Sequence, residues 1–338
     1  MDSGARDPKR GSGGRGWLVS GSLMSALAVL LVLGAFEVYL RATFEEVDVG
    51  ACGVRDPDLV WTYKPDCEEN NAFGVRDHAY SVEKPANAFR IVLIGDSVVE
   101  GHRVDIGESF GKKLEDLLNT GSERAFEVIH LARRGYTTQQ ELVLLKRQAF
   151  DLEPDLVLWS YCLNDPLDPL HHPIGFRAAQ LGERSGWYAP KIHVLAFLEH
   201  RFFLLREKIR SRHCPREYHR FYHCAYQQKV ESQIAEIAEI SHEKSVPILF
   251  VVHPIYHPGA YRRYLLTDLH EHLMGIAESR GLVAYDLLDA YAGRDVGEVG
   301  IINPRSGKPD VWHPSAAGHR VIADYLFARL VADRRVPR

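Results

Sequence analysis

The stretch RIVLIGDSVVEG, residues 90–101, decides the fold because an apolar run ends abruptly on a turn. Four consecutive apolar residues, 91–94, are typical of a strand that is buried on both faces of a sheet. Gly95, Asp96 and Ser97 then follow. An ordinary polar turn is one explanation of this ending. The other is that the strand presents the Ser97 hydroxyl at its carboxyl end.

A regular alternation of strand-like and helix-like segments begins at Phe89. The strand-like runs are FRIVLIG (89–95), FEVIHLA (126–132), PDLVLWSYC (154–162), PILFVVHPI (247–255) and GLVAYDLL (281–288). Apolar runs separated by helices predict parallel strands that are covered on both faces. The predicted fold is α/β, a three-layer α/β/α sandwich with a parallel sheet of about five strands. Ligands of such sheets bind beyond the carboxyl ends of the strands, where Ser97 falls.

The composition is that of a globular protein. The chain has 338 residues, of which 46% are hydrophobic and 25% are charged, and its formal net charge is -4. A nucleic-acid-binding domain usually carries a basic surface. We therefore predict no nucleic-acid partner.

The N-terminal segment predicts a membrane anchor. The 21 residues 16–36 carry no charge, and as a helix they would extend about 31 Å, enough to span a bilayer. Basic residues dominate the preceding segment, whereas acidic residues follow it at 45–48. This bias predicts a cytoplasmic N-terminus and an extracytoplasmic domain. A cleaved signal peptide, with LGA at 33–35 as the poor cleavage site, and a buried helix are the alternatives.

The predicted organisation has four parts. These are a cytoplasmic basic tail (1–15), a transmembrane signal-anchor (16–40), a stalk and lead-in segment (41–88) and the α/β domain (89–333) with an inserted helical segment around 166–230. The protein is thus expected to be a single-pass membrane protein whose domain lies in the periplasm or outside the cell. Membrane contact is assigned to residues 16–40.

Export would also permit disulfides among the five cysteines. Closeness in sequence favours Cys52 with Cys67 and Cys214 with Cys224, which leaves Cys162 unpaired. Free thiols are the alternative.

A second polar motif precedes the last predicted helix, in KPDVWHPSAAGHRVIADYLFARL, residues 308–330. Asp310 and His313 are three positions apart, and Pro314 suits the first turn of a helix. We therefore expect both side chains on a loop. If that loop reaches Ser97, His313 can accept the hydroxyl proton while Asp310 orients the imidazole. An isolated D-x-x-H is more often only the start of a capped helix.

Four motifs in order resemble those of the SGNH hydrolases, also called GDSL esterases. They are Gly95-Asp96-Ser97, Gly135, Asn164-Asp165 and Asp310-x-x-His313, and the resemblance covers roughly residues 88–332. It implies a flavodoxin-like sheet and a serine hydrolase that needs no cofactor. It also implies a catalytic role for Ser97, His313 and Asp310. The oxyanion hole would combine the backbone N–H groups of Ser97 and Gly135 with the side-chain amide of Asn164.

Two positions depart from the family pattern. Cys162 stands where the third motif usually has glycine, and His130 lies in a strand that often ends on asparagine. Both changes can narrow the pocket, but neither removes a catalytic group. Asp96 and Asp165 are expected to have structural roles.

Histidine spacing offers no convincing metal site. His171 and His172 are adjacent, and His253 and His257 are four apart, but prolines at 254 and 258 exclude the helix that would bring the latter pair onto one face. We predict no metal, and His253, at the end of a strand, remains a candidate for lining the pocket.

The predicted function is hydrolysis of an O-acyl ester, on a small molecule or on a carbohydrate such as an acetylated sugar. An O-acetyltransferase for a surface polysaccharide is the first alternative. Transferase relatives often read D-x-H-W, whereas Trp312 precedes His313 here. The second alternative is a catalytically silent binding protein held at the membrane. The sequence does not identify the acyl group or the alcohol of the substrate.

Overall fold

The computed structural model describes residues 13–43, 52–167, 169, 192–256, 264–303 and 307–337. Its strands are β1 (Gly53–Asp56), β2 (Val60–Tyr63), β3 (Ala88–Gly95), β4 (Ala125–Ala132), β5 (Leu156–Tyr161), β6 (Ile248–Val252), β7 (Val283–Asp286), β8 (Gly300–Ile302) and β9 (Pro309–Pro314). Its helices are α1 (Gly13–Thr43), α2 (Ser97–Glu100), α3 (Phe110–Asn119), α4 (Thr138–Leu144), α5 (His193–Arg210), α6 (Tyr218–Ala225), α7 (Gln227–Lys244), α8 (Thr267–Ser279), α9 (Val296–Val299) and α10 (Ala316–Ala332). Several predictions fall outside these residues, namely most of the basic tail, stalk residues 44–51, residues 170–191 of the inserted segment, and His171, His172 and His257.

A five-stranded parallel sheet forms the centre of the domain, in the order β4-β3-β5-β6-β7. Each of the five predicted strand-like runs contains one of these strands, so the predicted fold class is confirmed. In chain order of the strands this arrangement is 2-1-3-4-5, the flavodoxin-like order. Its topological switch point lies between β3 and β5, which places the ligand-binding edge at the end of the strand that precedes Ser97.

Alternating side chains of β3 build the two halves of the core. Ile91 and Leu93 face one cluster, which includes Leu114 of α3 and Leu326 of α10. Val92 and Ile94 face the opposite cluster, with contributions from α4, α7 and α8. Because successive strand side chains point to opposite faces, this one apolar run contributes to the core on both faces of the sheet. The result is the three-layer sandwich.

The lead-in segment packs on the domain over residues 52–80. β1 and β2 form an antiparallel hairpin, and Trp61 is only 1% exposed. Tyr136 donates a hydrogen bond from its hydroxyl to the Trp61 carbonyl at 2.7 Å. The Cys52–Cys67 disulfide closes the same segment. Part of the predicted stalk therefore packs against the loop that follows β4 and supports it.

A second disulfide, Cys214–Cys224, links the turn after α5 to α6. Cys162 is free and buried. Both pairings favoured from the sequence are thus present in the structure.

The N-terminal helix α1 is the one helix in the described part of the chain that is long and apolar enough to cross a membrane. The candidate span is Leu23–Ala42, with a mean hydropathy of 2.2 and almost all of its length exposed. This finding rests only on the length and composition of the helix.

Candidate active site

The Ser97 turn joins β3 to the short helix α2. Asp96 caps this helix, since its Oδ1 accepts a hydrogen bond from the backbone N–H of Val98 at 2.9 Å. Gly95 is required by packing, because a Cβ there would lie 2.6 Å from Val99 Cγ2 and 3.0 Å from Ser160 Cβ. The turn therefore fixes the backbone on both sides of Ser97.

His313 connects Ser97 to Asp310. The His313 Nε2 atom lies 2.9 Å from Ser97 Oγ, and Nδ1 lies 2.9 Å from Asp310 Oδ2. Because a carboxylate can only accept, Nδ1 carries the proton and Nε2 is free to accept from the Ser97 hydroxyl. The structure thus brings the three residues into one hydrogen-bonded chain.

Asp310 and His313 lie on a strand, not on the loop expected from the sequence. Strand β9 pairs in antiparallel fashion with β8, with Gly300 opposite Pro314. Ser315 then caps α10 by accepting from the Gly318 backbone N–H. The pairing with β8 holds the Asp310–His313 segment extended before the helix begins.

Hydrogen bonds keep Asp310 ionised. Burial alone would raise the pKa of this carboxyl, but bonds from His313 and from the Trp312 backbone N–H, together with the charge of Arg103, hold the pKa below its usual value. The Trp312 bond is 3.0 Å long, and Arg103 Nη1 lies 3.8 Å from Asp310 Oδ2. An ionised Asp310 is the state that can orient His313.

His102 lies against His313 and was not singled out from the sequence. The two ring centroids are 4.6 Å apart. Burial, with smaller contributions from the neighbouring His313 and Arg134, lowers the pKa of His102 to about 3. His102 is therefore an uncharged ring that packs against the His313 imidazole. Its position five residues after Ser97 is the only sequence signal that could have found it.

The three predicted oxyanion donors follow three adjacent strands. Ser97 follows the central strand β3, Gly135 follows β4 on one side, and Asn164 follows β5 on the other. Gly135 has a φ of +79°, a conformation that favours glycine. The two flanking loops meet, because the Thr138 backbone N–H donates to the Asp165 carbonyl at 3.4 Å. All three donors belong to the carboxyl edge of the sheet.

Buried polar contacts tie the Ser97 turn to the Asn164 turn. Asp165 Oδ2 accepts from the Cys162 backbone N–H at 2.7 Å, and the Cys162 thiol donates to Asp96 Oδ1 across 3.4 Å. Burial raises the pKa values of Asp96, Cys162 and Asp165. The thiol that replaces the family glycine therefore remains protonated and acts as a donor between two loops.

His130, the other departure, is part of the packing. It is 1% exposed, and its Nε2 occupies the space that a Cβ on Gly111 of α3 would need. Its backbone N–H donates to Asp77 Oδ2 at 2.8 Å. Burial lowers the pKa of the ring to about 4.

His253, the candidate for lining the pocket, is likewise buried, at 3% exposure. Its Nε2 lies 2.6 Å from Ser160 Oγ. Among the described residues, the donor atoms of His213, Cys214 and Cys224 lie close enough together to suggest a metal site. The two sulfur atoms are bonded to each other, so they are not available as thiolate ligands.

Comparison with known proteins places the chain among ester hydrolases. The model of the GDSL-like Lipase/Acylhydrolase family matches residues 93–321. The chain belongs to this family. It is accordingly an enzyme that hydrolyses ester bonds. No curated protein matches the sequence.

Several solved structures are similar to this chain at low sequence identity. LAE5, an alpha/beta hydrolase enzyme from the metagenome of Lake Arreo, is 18% identical with a TM-score of 0.44, over 71% of this chain and 94% of LAE5. Axe2, an acetylxylan esterase from Geobacillus stearothermophilus, is 14% identical with a TM-score of 0.44, over 72% and 94%. TesA is 12% identical with a TM-score of 0.42, over 71% and 97%.

Proposed function

We propose that the protein is a serine esterase in which Ser97 is the nucleophile, His313 the general base and Asp310 the residue that orients His313. The observation that carries this proposal is the continuous chain from Asp310 through His313 to Ser97, with both links at 2.9 Å. Such a chain meets the distance requirement for proton transfer from a serine hydroxyl.

The proposed reaction has two steps. Ser97 Oγ attacks the ester carbonyl while its proton passes to His313 Nε2, and the protonated imidazole then protonates the departing alcohol. Water attacks the resulting acyl-serine, gives its proton to His313, and releases the carboxylic acid as Ser97 recovers its proton. The backbone N–H groups of Ser97 and Gly135 and the amide of Asn164 stabilise the oxyanion in both steps.

The proposed substrate is an O-acyl ester, with an O-acetyl group on a carbohydrate as the specific candidate. A series of esters with acetyl, butyryl and longer acyl groups tests the acyl side. Acetylated and unmodified oligosaccharides test the alcohol side. Preference for long acyl chains would contradict the acetyl-sugar candidate but not ester hydrolysis.

We also place α1 in a membrane, with the N-terminus cytoplasmic and the domain outside. The apolar span Leu23–Ala42 and its exposed surface support this placement, as does the basic flank before the span. A reporter that is active only after export should work when fused after residue 338. Activity of only a cytoplasmic reporter at that position would reverse the topology.

The decisive experiment for the mechanism replaces the nucleophile. Ser97→Ala should abolish labelling by a fluorophosphonate probe and lower ester turnover to background, because no other group supplies the attacking oxygen. Ser279→Ala, on the exposed end of α8, is the matched control and should behave as the parent. A folded Ser97→Ala protein that hydrolyses the ester at the parent rate would rule out this mechanism.

A further inference from the structure

Helix α5 carries an exposed apolar stripe. Leu195, Leu198, Phe202, Leu205 and Ile209 are between 38% and 67% exposed. Their spacing alternates between three and four residues, so at 3.6 residues per turn they lie within an arc of about 80°. A continuous apolar stripe on the surface usually marks a contact with a partner or a membrane.

Basic side chains border this stripe on both sides. On the helical projection Arg201 and Lys208 lie along one edge, and Arg206 and Arg210 lie along the other. The Arg206 and Arg210 side chains are 65% and 71% exposed.

The acidic residues of α5 offset only part of this positive charge. The helix contains two of them, Glu199 and Glu207. Glu207 is 6% exposed and accepts a hydrogen bond from the Tyr226 hydroxyl at 2.9 Å. Its Oε1 atom also lies 3.9 Å from both Arg206 Nε and Arg210 Nη1, at the limit of an ion pair. Glu199 is the one exposed acid among four bases. The border of the stripe is therefore complementary to an anionic surface.

The stripe helix is joined to the candidate membrane span. The Val194 backbone N–H donates to Glu37 Oε2 of α1 at 2.8 Å, and the rings of Phe36 and Phe197 meet edge to face with centroids 5.4 Å apart. These contacts lie near the end of the span Leu23–Ala42, where α1 would leave the bilayer.

We propose that α5 lies in the interface of the bilayer that α1 spans, with its apolar stripe among the acyl chains and its Arg and Lys side chains on lipid phosphates. An apolar stripe bordered by bases, on a helix that begins beside the end of a membrane span, has the features of an interfacial helix. Long basic side chains reach the headgroups while their stems cover apolar surface. The proposal rests on the placement of α1 in the membrane.

This placement fixes the active site relative to the lipid surface. The Cys214–Cys224 disulfide ties the turn after α5 to α6. Tyr218 and His219 of α6 pack on the Trp312 ring, with centroid distances of 5.9 and 5.1 Å. Trp312 lies between Asp310 and His313 in β9. A continuous series of contacts therefore runs from the proposed lipid-facing helix to the proposed catalytic pair.

The test uses the full chain in vesicles of phosphatidylcholine and phosphatidylglycerol. The photocrosslinker p-benzoylphenylalanine replaces Phe202, which is 67% exposed, in one sample. It replaces Leu30 of α1 as the positive control and Val82, an apolar residue of the lead-in segment that is 53% exposed, as the matched negative control. Lipid adducts are expected at positions 202 and 30 and not above background at position 82.

Each other outcome overturns the proposal in a recognisable way. Adducts at position 30 without adducts at 202 would leave the anchor in place and remove α5 from the membrane. Adducts at 202 to a second protein chain only would identify the stripe as a dimer interface. Adducts at neither position would reject the anchor and the interfacial helix together. Turnover of a soluble ester by the same samples reports separately on the proposed esterase function.

Discussion

The Sγ atom of Cys162 lies 3.4 Å from Oδ1 of Asp96, so the thiol after β5 supports the acid that precedes Ser97. Asp96 is 2% exposed, and its Oδ1 receives one further bond, from the Val98 backbone N–H. A buried carboxyl that loses a donor is left less well solvated, which costs free energy.

Replacing this thiol should therefore affect stability more than chemistry. Cys162→Ala is expected to lower the free energy of unfolding by about 1 kcal/mol, the usual net value of one hydrogen bond, and to change turnover only a few-fold. Cys162→Ser keeps a donor and should lose less. Denaturant unfolding monitored by fluorescence measures the difference. Equal stability of Cys162→Ala and the parent would mean that the thiol does not support Asp96.

Asn164→Ala should separate covalent labelling from turnover. The nucleophile and base remain, so fluorophosphonate labelling should continue at a lower rate, while turnover falls by about 10² to 10³, the effect of losing one oxyanion donor. Steady-state kinetics and a labelling time course measure the two quantities. Asn87→Ala serves as the control, because the Asn87 side chain is exposed and bonds only the Glu123 carbonyl in the described contacts. Unchanged turnover in Asn164→Ala would remove this residue from the oxyanion hole.

Asp310→Asn should leave the fold intact and slow catalysis. An amide at this position can donate to Nδ1, which favours the imidazole tautomer that cannot accept from Ser97. A loss of up to about 10⁴ in turnover is expected for this change in a triad. Asp295→Asn, in the exposed cap of α9, is the matched control. If Asp310→Asn retained parent turnover at an unchanged melting temperature, Asp310 would not orient His313.

A buried histidine should make stability depend on pH. His319 of α10 is 0% exposed and accepts a hydrogen bond from the Phe110 backbone N–H at 3.2 Å. Burial, with the nearby His253 and His130, lowers its pKa from 6.5 to about 3. The unfolded chain therefore binds the extra proton first as the pH falls. The stability that His319 contributes is present above about pH 6.5 and is lost as the pH falls towards 3.

The variant His319→Asn provides the test, because it keeps an acceptor near the position of Nδ1 and does not titrate. Between about pH 6.5 and pH 5 the parent should lose about 2 kcal/mol relative to this variant. Unfolding curves at a series of pH values measure the relative change. If the stabilities of the parent and the variant changed with pH in the same way, His319 would not be buried in its neutral state.

The fold could be predicted because its strands are buried on both faces. Five apolar runs mark β3 to β7 directly, and the order of the motifs follows the order of the strands. The hairpin formed by β8 and β9 could not be predicted in this way, since β8 has three residues and no apolar period can be recognised over that length. Asp310 was therefore expected on a loop, whereas it lies on β9.

Contacts between distant segments explain what the sequence did not reveal about the site. His102 has no pattern that distinguishes it, and only the packing of the α2 turn on β9 brings its ring to His313. Likewise, the weak periodicity of residues 52–63 conceals Trp61, whose burial depends on Tyr136, 75 residues later in the chain. Local patterns predict elements, whereas such pairs require the assembled domain.

The 216 residues that separate Ser97 from His313 also set when activity can appear during synthesis. The nucleophile turn is synthesised well before β9 and α10. A nascent or prematurely terminated chain that stops before residue 313 would carry the proposed nucleophile without its base. Esterase activity would then be acquired only after the domain is almost complete.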